Sequence, residues 1–508
     1  MKKSRVIFLL WLCFILYCLH LPLRSRGDQK ETKGFSEFIQ TKRNTGVLLV
    51  SPGGGLGDRL RPVVVGYFLS YLFNKKLILP QVLSAEFIEP NFQGYQPFEE
   101  NEGRIEIEII TDPQILKEMD WRTPNISLNE STYSIGEDGG NIKEISQDIS
   151  LMKQGSILDF SFRCMNCLNF FITECEKATL LGHHFPNLKY LKHISQSGYA
   201  WQFALKNLFK PSKTIRDMLN SIKQEYYSIS NPMVVDYLRN EDILYERFNL
   251  EYRKEVKDNS ERKNLFNDTD IDLEFFTFSV QYRSGDAFFG SVTKSNFRFM
   301  QQKDVYYFVD KFLEEWKRIL IEREIQNQNG NENEWKKMEN EGNNKNKKLI
   351  PMVFITGDNP NIISYLYSVF SYLHIPTFTS EEFGEIAHIR QTDKSQSRTY
   401  LDWWLLAQSN HILASQSGFP MSASKMECVP ISIFFNPPSN FDEEQLKYTP
   451  RFMEFDRKTG LCGNGRTSFL VPRIFSYIDE KRLVEEVERR MVNNIRSLSV
   501  HYSVIFKK

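Results

Sequence analysis

Net charge is absent from this chain of 508 residues: 64 basic and 64 acidic side chains cancel. A surface balanced in this way carries no basic footprint for bulk nucleic-acid binding, so no nucleic-acid partner is expected. Cysteine is scarce, at seven residues. Cys13 and Cys18 fall in an apolar amino-terminal run, which leaves Cys164, Cys167, Cys175, Cys428 and Cys462. A structural zinc site needs four ligands. Cys164, Cys167 and Cys175 make three, His183 and His184 lie a little beyond, and nothing nearby completes the set. No metal is therefore expected. One or two disulfides in an oxidising compartment are expected instead, with one thiol left over because five is odd; spacing leaves the pairing open.

Only one stretch is apolar for long enough to cross a bilayer. Residues 6–23 follow Met1-Lys2-Lys3-Ser4-Arg5 and are almost without polar side chains. At helical rise such a run spans about 27 Å, close to the roughly 30 Å hydrocarbon core. It ends in bulky residues followed by Arg24 and Arg26, without the small residues of a cleavage site. An uncleaved signal-anchor over residues 1–23 and a polar stem over 24–44 are expected. Positive charge flanks the run on both sides and orients it only weakly. Sequons at Asn125, Asn129 and Asn267 fit a lumenal, glycosylated domain.

The most informative stretch is Gly53-Gly54-Gly55-Leu56-Gly57-Asp58-Arg59-Leu60-Arg61. It follows the apolar run Val47-Leu48-Leu49-Val50 and precedes an apolar helix-like segment, an order that reads as strand, glycine loop, helix. Glycines let backbone N–H groups approach an anion, and the first turn of a helix presents unpaired N–H groups. Arg59 and Arg61 add a fork suited to phosphate. The spacing is not the dinucleotide fingerprint, since Leu60 stands three after Gly57, which argues against a dehydrogenase. It is not a P-loop, since no Gly-Lys-Ser/Thr follows. A phosphate-bearing ligand is one reading; a tight strand-to-helix turn is the other.

A first domain is expected over residues 45–270, with amphipathic helices at 199–209 and 214–227 and an exposed linker at 251–267. A second is expected over 271–508. There a strand, Phe275-Phe276-Thr277-Phe278-Ser279-Val280-Gln281-Tyr282, is followed by a helix at 305–323. An Asn-, Glu- and Lys-rich insertion at 326–348 reads as a disordered surface loop. Strand 349–356, helix 361–373, strand 377–379, helix 400–409 and strands 411–414 and 430–435 continue the alternation, and 479–497 reads as a closing helix. Strands alternating with helices give an α/β chain with a parallel, doubly wound sheet.

Ligands of such sheets bind at the carboxyl ends of the strands. Three loops end strands there. Tyr282-Arg283-Ser284-Gly285-Asp286 puts an arginine where it can reach a diphosphate; the alternative is a solvated Arg–Asp pair. Thr356-Gly357-Asp358-Asn359-Pro360 places Asp358 to cap the next helix. Ser415-Gln416-Ser417-Gly418-Phe419 offers hydroxyls and backbone N–H groups ahead of a helix. Trp403 and Trp404 read as core residues.

Taken together, the glycine-rich block, V-Q-Y-R-S-G-D, F-I-T-G-D-N-P, and D-W-W-L-L followed by S-Q-S-G-F resemble the fucosyltransferase superfamily, which groups α1,2- and α1,6-fucosyltransferases with protein O-fucosyltransferases. The likeness covers residues 46–80 and 275–425. It implies a GT-B-like fold, two Rossmann-like domains facing a cleft, preceded here by the transmembrane helix. It implies GDP-fucose as donor, a glycan or glycoprotein acceptor, inversion at the sugar carbon, no cofactor, and a lumenal place in the Golgi or endoplasmic reticulum. By the same resemblance, Arg283 contacts the diphosphate, Asp358 the nucleotide, Ser415, Ser417, Gly418 and Phe419 the phosphates. Gly54, Gly55, Gly57 and Arg59 close over the donor from the first domain. Gln281 stands where relatives carry His, and Asp58 where they often carry Asn. A general base is also expected, with Asp58 and Asp286 as candidates. Transfer from another nucleotide sugar, or binding without catalysis, are the competing readings.

Overall fold

The computed structural model describes residues 46–48, 56–73, 76–80, 88–90, 107–110, 133–134, 158–159, 200–247, 272–283, 305–329, 347–385, 395–434, 452–455 and 469–471, with scattered positions between 172 and 192. The amino-terminal run 6–23, the stem, the three sequons and the 479–497 segment lie outside them. Among the described residues no helix is long and apolar enough to cross a membrane.

The first half opens with β1 (Gly46–Leu48), α1 (Leu56–Phe73) and β2 (Lys76–Pro80), followed by β3 (Ile88–Pro90), β4 (Ile107–Ile110), β5 (Tyr133–Ser134) and β6 (Leu158–Asp159). Strands β1, β2 and β4 form a parallel sheet in the order β1-β2-β4. The helix begins earlier than the glycine spacing suggests. Leu56 and Gly57 already belong to α1, because the packing of Leu56 and Leu60, both buried, outweighs the poor helix propensity of Gly57. Next come α2 (Ala200–Leu208), β7 (Phe209–Pro211), α3 (Lys213–Tyr226) and α4 (Pro232–Arg247). Helix α3 is capped by Ser212, whose side chain accepts from the Ile215 N–H at 3.3 Å. Its apolar stripe Ile215, Leu219 and Ile222 is buried, the i, i+4, i+7 pattern of an amphipathic helix. Helix α4 went unread in the sequence, its polar residues masking the period.

The second half runs β8 (Leu273–Tyr282), α5 (Val305–Asn329), β9 (Lys348–Gly357), α6 (Pro360–Tyr372), β10 (Thr377–Phe378), α7 (Ser397–Gln408), β11 (His411–Ser415), α8 (Gly418–Glu427), β12 (Ile431–Phe434), β13 (Phe452–Phe455) and β14 (Phe469–Val471). These strands form one sheet in the order β10-β9-β8-β11-β12-β13-β14. The first five in that order are parallel, as the alternation predicts. Strands β13 and β14 add an antiparallel edge that the alternation does not predict, since an antiparallel neighbour needs no crossover helix. Helix α5 continues through Gln326 to Asn329, beyond the expected end at 323 and into the insertion expected to be a disordered loop over 326–348.

The chain steps from β8 outward to β9 and β10, then returns past β8 to β11 and β12. The point of reversal lies between β8 and β11, where Gln281 pairs in register with Ala414. Alternate residues of β8 serve two layers. Phe278 and Tyr282 pack on α5, with ring centroids 4.8 Å from Phe312 and 6.1 Å from Phe308. Phe275 and Thr277 meet Tyr227 at the end of α3, the first by an edge-on ring contact at 5.4 Å and the second by a 2.9 Å hydrogen bond. Pro351 is tolerated inside β9 because it precedes the residues that pair with β10, so β9 has a neighbour on one side only at that point.

Candidate functional site

The carboxyl ends of β8 and β11 meet at the point of reversal, and Arg283 leaves β8 there. Its backbone N–H donates to Ser415 Oγ at 2.8 Å, and Ser415 Oγ donates in turn to the Gln281 carbonyl at 3.2 Å. Its Nη1 donates to Ser417 Oγ at 3.2 Å. Ser417 is the N-cap of α8 and also accepts from the Phe419 N–H at 3.4 Å. The arginine is thus held across the strand pair with its guanidinium at the amino end of a helix. That end presents unpaired N–H groups and a positive dipole. Fixed cation, helix end and capping hydroxyl are together the chemistry that suits a phosphate-bearing ligand.

A second helix end reaches the same place. Gly57, in the first turn of α1, lies directly on Gly418, the first residue of α8; a Cβ at Gly57 would fall on the Gly418 carbonyl. The glycine is required by this close approach, as the tight-turn reading of the glycine block expects. Asp58 and Arg59 stand on the backbone of the same first turn. The structure therefore brings together Gln281, Arg283, Ser415, Ser417, Gly418, Phe419 and Gly57. Gly54, Gly55 and Asp286 lie outside the described residues, as do the side chains of Asp58 and Arg59.

Asp358 does not cap α6 as expected. It is buried, and its N–H reaches the Tyr282 carbonyl at 3.4 Å. The cap of α6 is Asn359, whose side chain accepts from the Asn361 N–H at 3.0 Å, because Pro360 is the first helical residue and leaves the capping position to its neighbour. Trp403 and Trp404 are core residues, as expected, and Trp403 Nε1 donates to Ser422 Oγ at 2.9 Å.

Next to Arg283 runs a buried polar cluster that the sequence reading did not single out. Thr356, paired in register with Gln281, donates to Asp402 Oδ2 at 2.5 Å. Ser380 Oγ bonds the other Asp402 oxygen, and Arg398 Nε reaches Ser380 Oγ at 3.2 Å. Burial pushes the Asp402 carboxyl up, against the pull of Arg398 and of the Ser380 and Thr356 hydroxyls. At the two ends of this chain, Gln281 Oε1 and Arg398 Nη2 are buried without a hydrogen-bond partner among the described residues. The i, i+4 spacing of Arg398 and Asp402 on one helix face was the available signal.

Two other features stand apart from this place. A cavity of about 510 Å³ opens at the amino ends of the strands, lined by Phe275, Thr277, Tyr227 and Asn410 among others; none of the expected site residues lines it. At the amino end of β11, His411 lies between Ser432, 3.0 Å from Nε2, and Glu315, 4.0 Å from Nδ1. Among the described residues no cluster of His, Cys, Asp or Glu could hold a metal. Cys428 is in a disulfide and Cys175 is buried.

No protein-family model and no curated protein matches the chain. Solved structures do. A mutant of Arabidopsis thaliana FUT1 in complex with GDP is similar over 81% of this chain and 76% of its own, at 10% identity and a TM-score of 0.43. The fucosyltransferase NodZ from Bradyrhizobium is similar over 77% of this chain and 96% of its own, at 12% identity and a TM-score of 0.34. POFUT1 in complex with GDP-fucose is similar over 77% of this chain and 96% of its own, at 11% identity and a TM-score of 0.28.

Proposed function

We propose that this chain is a glycosyltransferase that moves fucose from GDP-fucose to a hydroxyl of a glycan or glycoprotein, with inversion at the sugar carbon. The observation that carries the reading is Arg283, fixed by Ser415 and Ser417 at the strand reversal with the amino ends of α8 and α1 beside it. The resemblance of the motif blocks to fucosyltransferases implies the donor; the geometry supports the chemistry.

In the reaction the acceptor oxygen forms a bond to the anomeric carbon, and the bond from that carbon to the β-phosphate oxygen breaks. The electron pair leaves with GDP. Charge grows on the diphosphate as the bond lengthens, and preorganised donors at that point lower the barrier most where water is excluded. Arg283 supplies a permanent charge and the α8 amides supply dipoles. With both Ser417 lone pairs engaged by Arg283 and Phe419, its hydroxyl is left to donate toward the ligand. The acceptor proton passes to a carboxylate, for which Asp58 and Asp286 are the candidates. Gln281, whose buried amide oxygen has no hydrogen-bond partner among the described residues, would contact the donor.

The Val6-to-Leu23 run would anchor the chain, leaving the remainder in the lumen of the Golgi or endoplasmic reticulum. The sequons at Asn125, Asn129 and Asn267 and the Cys428 disulfide support an oxidising, glycosylating compartment.

A donor screen tests the reading. The full chain, in membranes, is offered GDP-fucose, GDP-mannose and UDP-sugars, and nucleotide release is measured with and without acceptor glycans. Turnover of GDP-fucose above the others is expected; preference for a UDP-sugar would overturn the donor assignment, and GDP binding without turnover of any donor would overturn catalysis.

A further inference from the structure

Helix α8 has one end in the candidate donor site and the other held by a helix of the first half. At its amino end, Ser417 meets Arg283 and Gly418 meets Gly57. In its last turns, the buried Lys425 places Nζ 4.0 Å from the centre of the Trp201 ring of α2, and Glu427 pairs with Lys206 of α2 at 2.6 Å. Helix α2 is in turn packed on α1, with the Phe203 ring 6.0 Å from Tyr67. Gly418 and Lys425 are seven residues apart and so share a face of α8. The face that touches α1 at the site is the face that touches α2 at Lys425. A short helix is stiff, so a turn or slide permitted at Lys425 is delivered to Ser417 and Gly418.

We propose that Trp201 and Lys425 are positioning residues for the diphosphate end of the donor site, acting through α8. The inference rests on the reading of Arg283 and α8 as that site. A cation over an indole is attractive and directional, more so when desolvated; here it fixes the rotation of α8 about its axis. The Lys206–Glu427 pair is part-exposed and adds little by itself.

The test uses the full chain and the variants Lys425→Met, Lys425→Arg, Trp201→Leu and the double variant W201L/K425M. Hydrogen exchange of the segment 417–421 is followed without nucleotide, alongside the affinity for GDP and the split between KM and kcat for GDP-fucose. We expect Lys425→Met and Trp201→Leu to speed exchange there and weaken GDP binding by about 5- to 30-fold each. The rise should fall on KM more than on kcat. The double variant should be no worse than either single one, as coupled partners require, and Lys425→Arg should return both readouts to within about twofold of the parent. Unchanged exchange at 417–421 in Lys425→Met, or losses that multiply in the double variant, would overturn the proposal. If Trp201→Leu does not fold, the comparison of Lys425→Met with Lys425→Arg decides alone. Because exchange is read without nucleotide, a parent chain that fails to bind GDP counts against the donor site and leaves the positioning role decided by the exchange.

Discussion

Gly57 shows how a single side-chain-free position can join two parts of a molecule. As a helix residue it is costly, by up to about 1 kcal/mol relative to alanine, and an exposed helix would gain from replacing it. Here the nearest atoms to a new Cβ are the backbone of Gly418 and Phe419, which cannot swing aside as a side chain could. Overpacking of this kind costs about 1–3 kcal/mol, so the steric term wins. Gly57→Ala is expected to lower the thermal midpoint and to weaken GDP binding, because relief of the clash separates the two helix ends. A variant as stable as the parent with unchanged GDP affinity would show that the helices are not in contact at that point. Gln281, by contrast, is a residue whose meaning changes with context. In the sequence it is a departure from a family pattern; in the fold it is a buried acceptor beside Arg283, paired in register with Thr356 on one side and Ala414 on the other.

Among the elements, α5 and β11 carry a buried charged group with a consequence for acid stability. Burial drives the His411 imidazole down to about 4, with Lys311 and Arg318 adding to the shift and Glu315 opposing it, so the ring is neutral in the folded chain at neutral pH. Burial pushes Glu315 up, but the charges and hydrogen bonds of its cationic neighbours outweigh this and hold it at about 2. At neutral pH those neighbours are Lys311, at 2.8 Å, and Arg318, at 2.7 Å. Both folded values are depressed, from ordinary values of 6.5 and 4.5. Between pH 6.5 and 4 the unfolded chain therefore binds a proton at His411 that the folded chain refuses, and stability falls with falling pH at up to about 1.4 kcal/mol per pH unit. Glu315 acts in the same direction below 4.5. Urea midpoints should drop from pH 7 to pH 5, and His411→Gln should flatten that slope; equal slopes in both proteins would remove His411 as its source. The strands and helices of this half were readable because aromatic and β-branched runs alternate with amphipathic ones, as in β8 and α6. What escaped was set by long-range pairing. The antiparallel edge β13–β14 depends on pairing with β12 rather than on its own residues, and the Thr356–Asp402–Ser380–Arg398 cluster joins β9, α7 and the turn at Ser380. The cap of α6 was misplaced by one residue, since Asp358 and Asn359 are both good caps and the position of Pro360 in the first turn decides between them.

For the whole molecule, the chain order of the second sheet explains where chemistry can occur. The chain order reverses between β8 and β11, and the carboxyl ends at such a reversal are the place where open α/β sheets bind ligands. The candidate site was legible as separate pieces, Arg283, Ser415–Ser417 and the glycine block, because each ends a strand or opens a helix. Their convergence was implied only by the family resemblance, since nothing local states that α1 from the first half abuts α8 from the second. The central claim is that this convergence holds a nucleotide diphosphate through Arg283. The most direct measurement compares release of GDP from GDP-fucose by the parent chain and by Arg283→Ala, with thermal melts to confirm that both are folded. Removal of a preorganised charge at the leaving group costs about 10²- to 10³-fold in rate, and that loss, with an unchanged melt, is the expected result. A folded Arg283→Ala chain that turns over GDP-fucose at the parental rate would contradict the account.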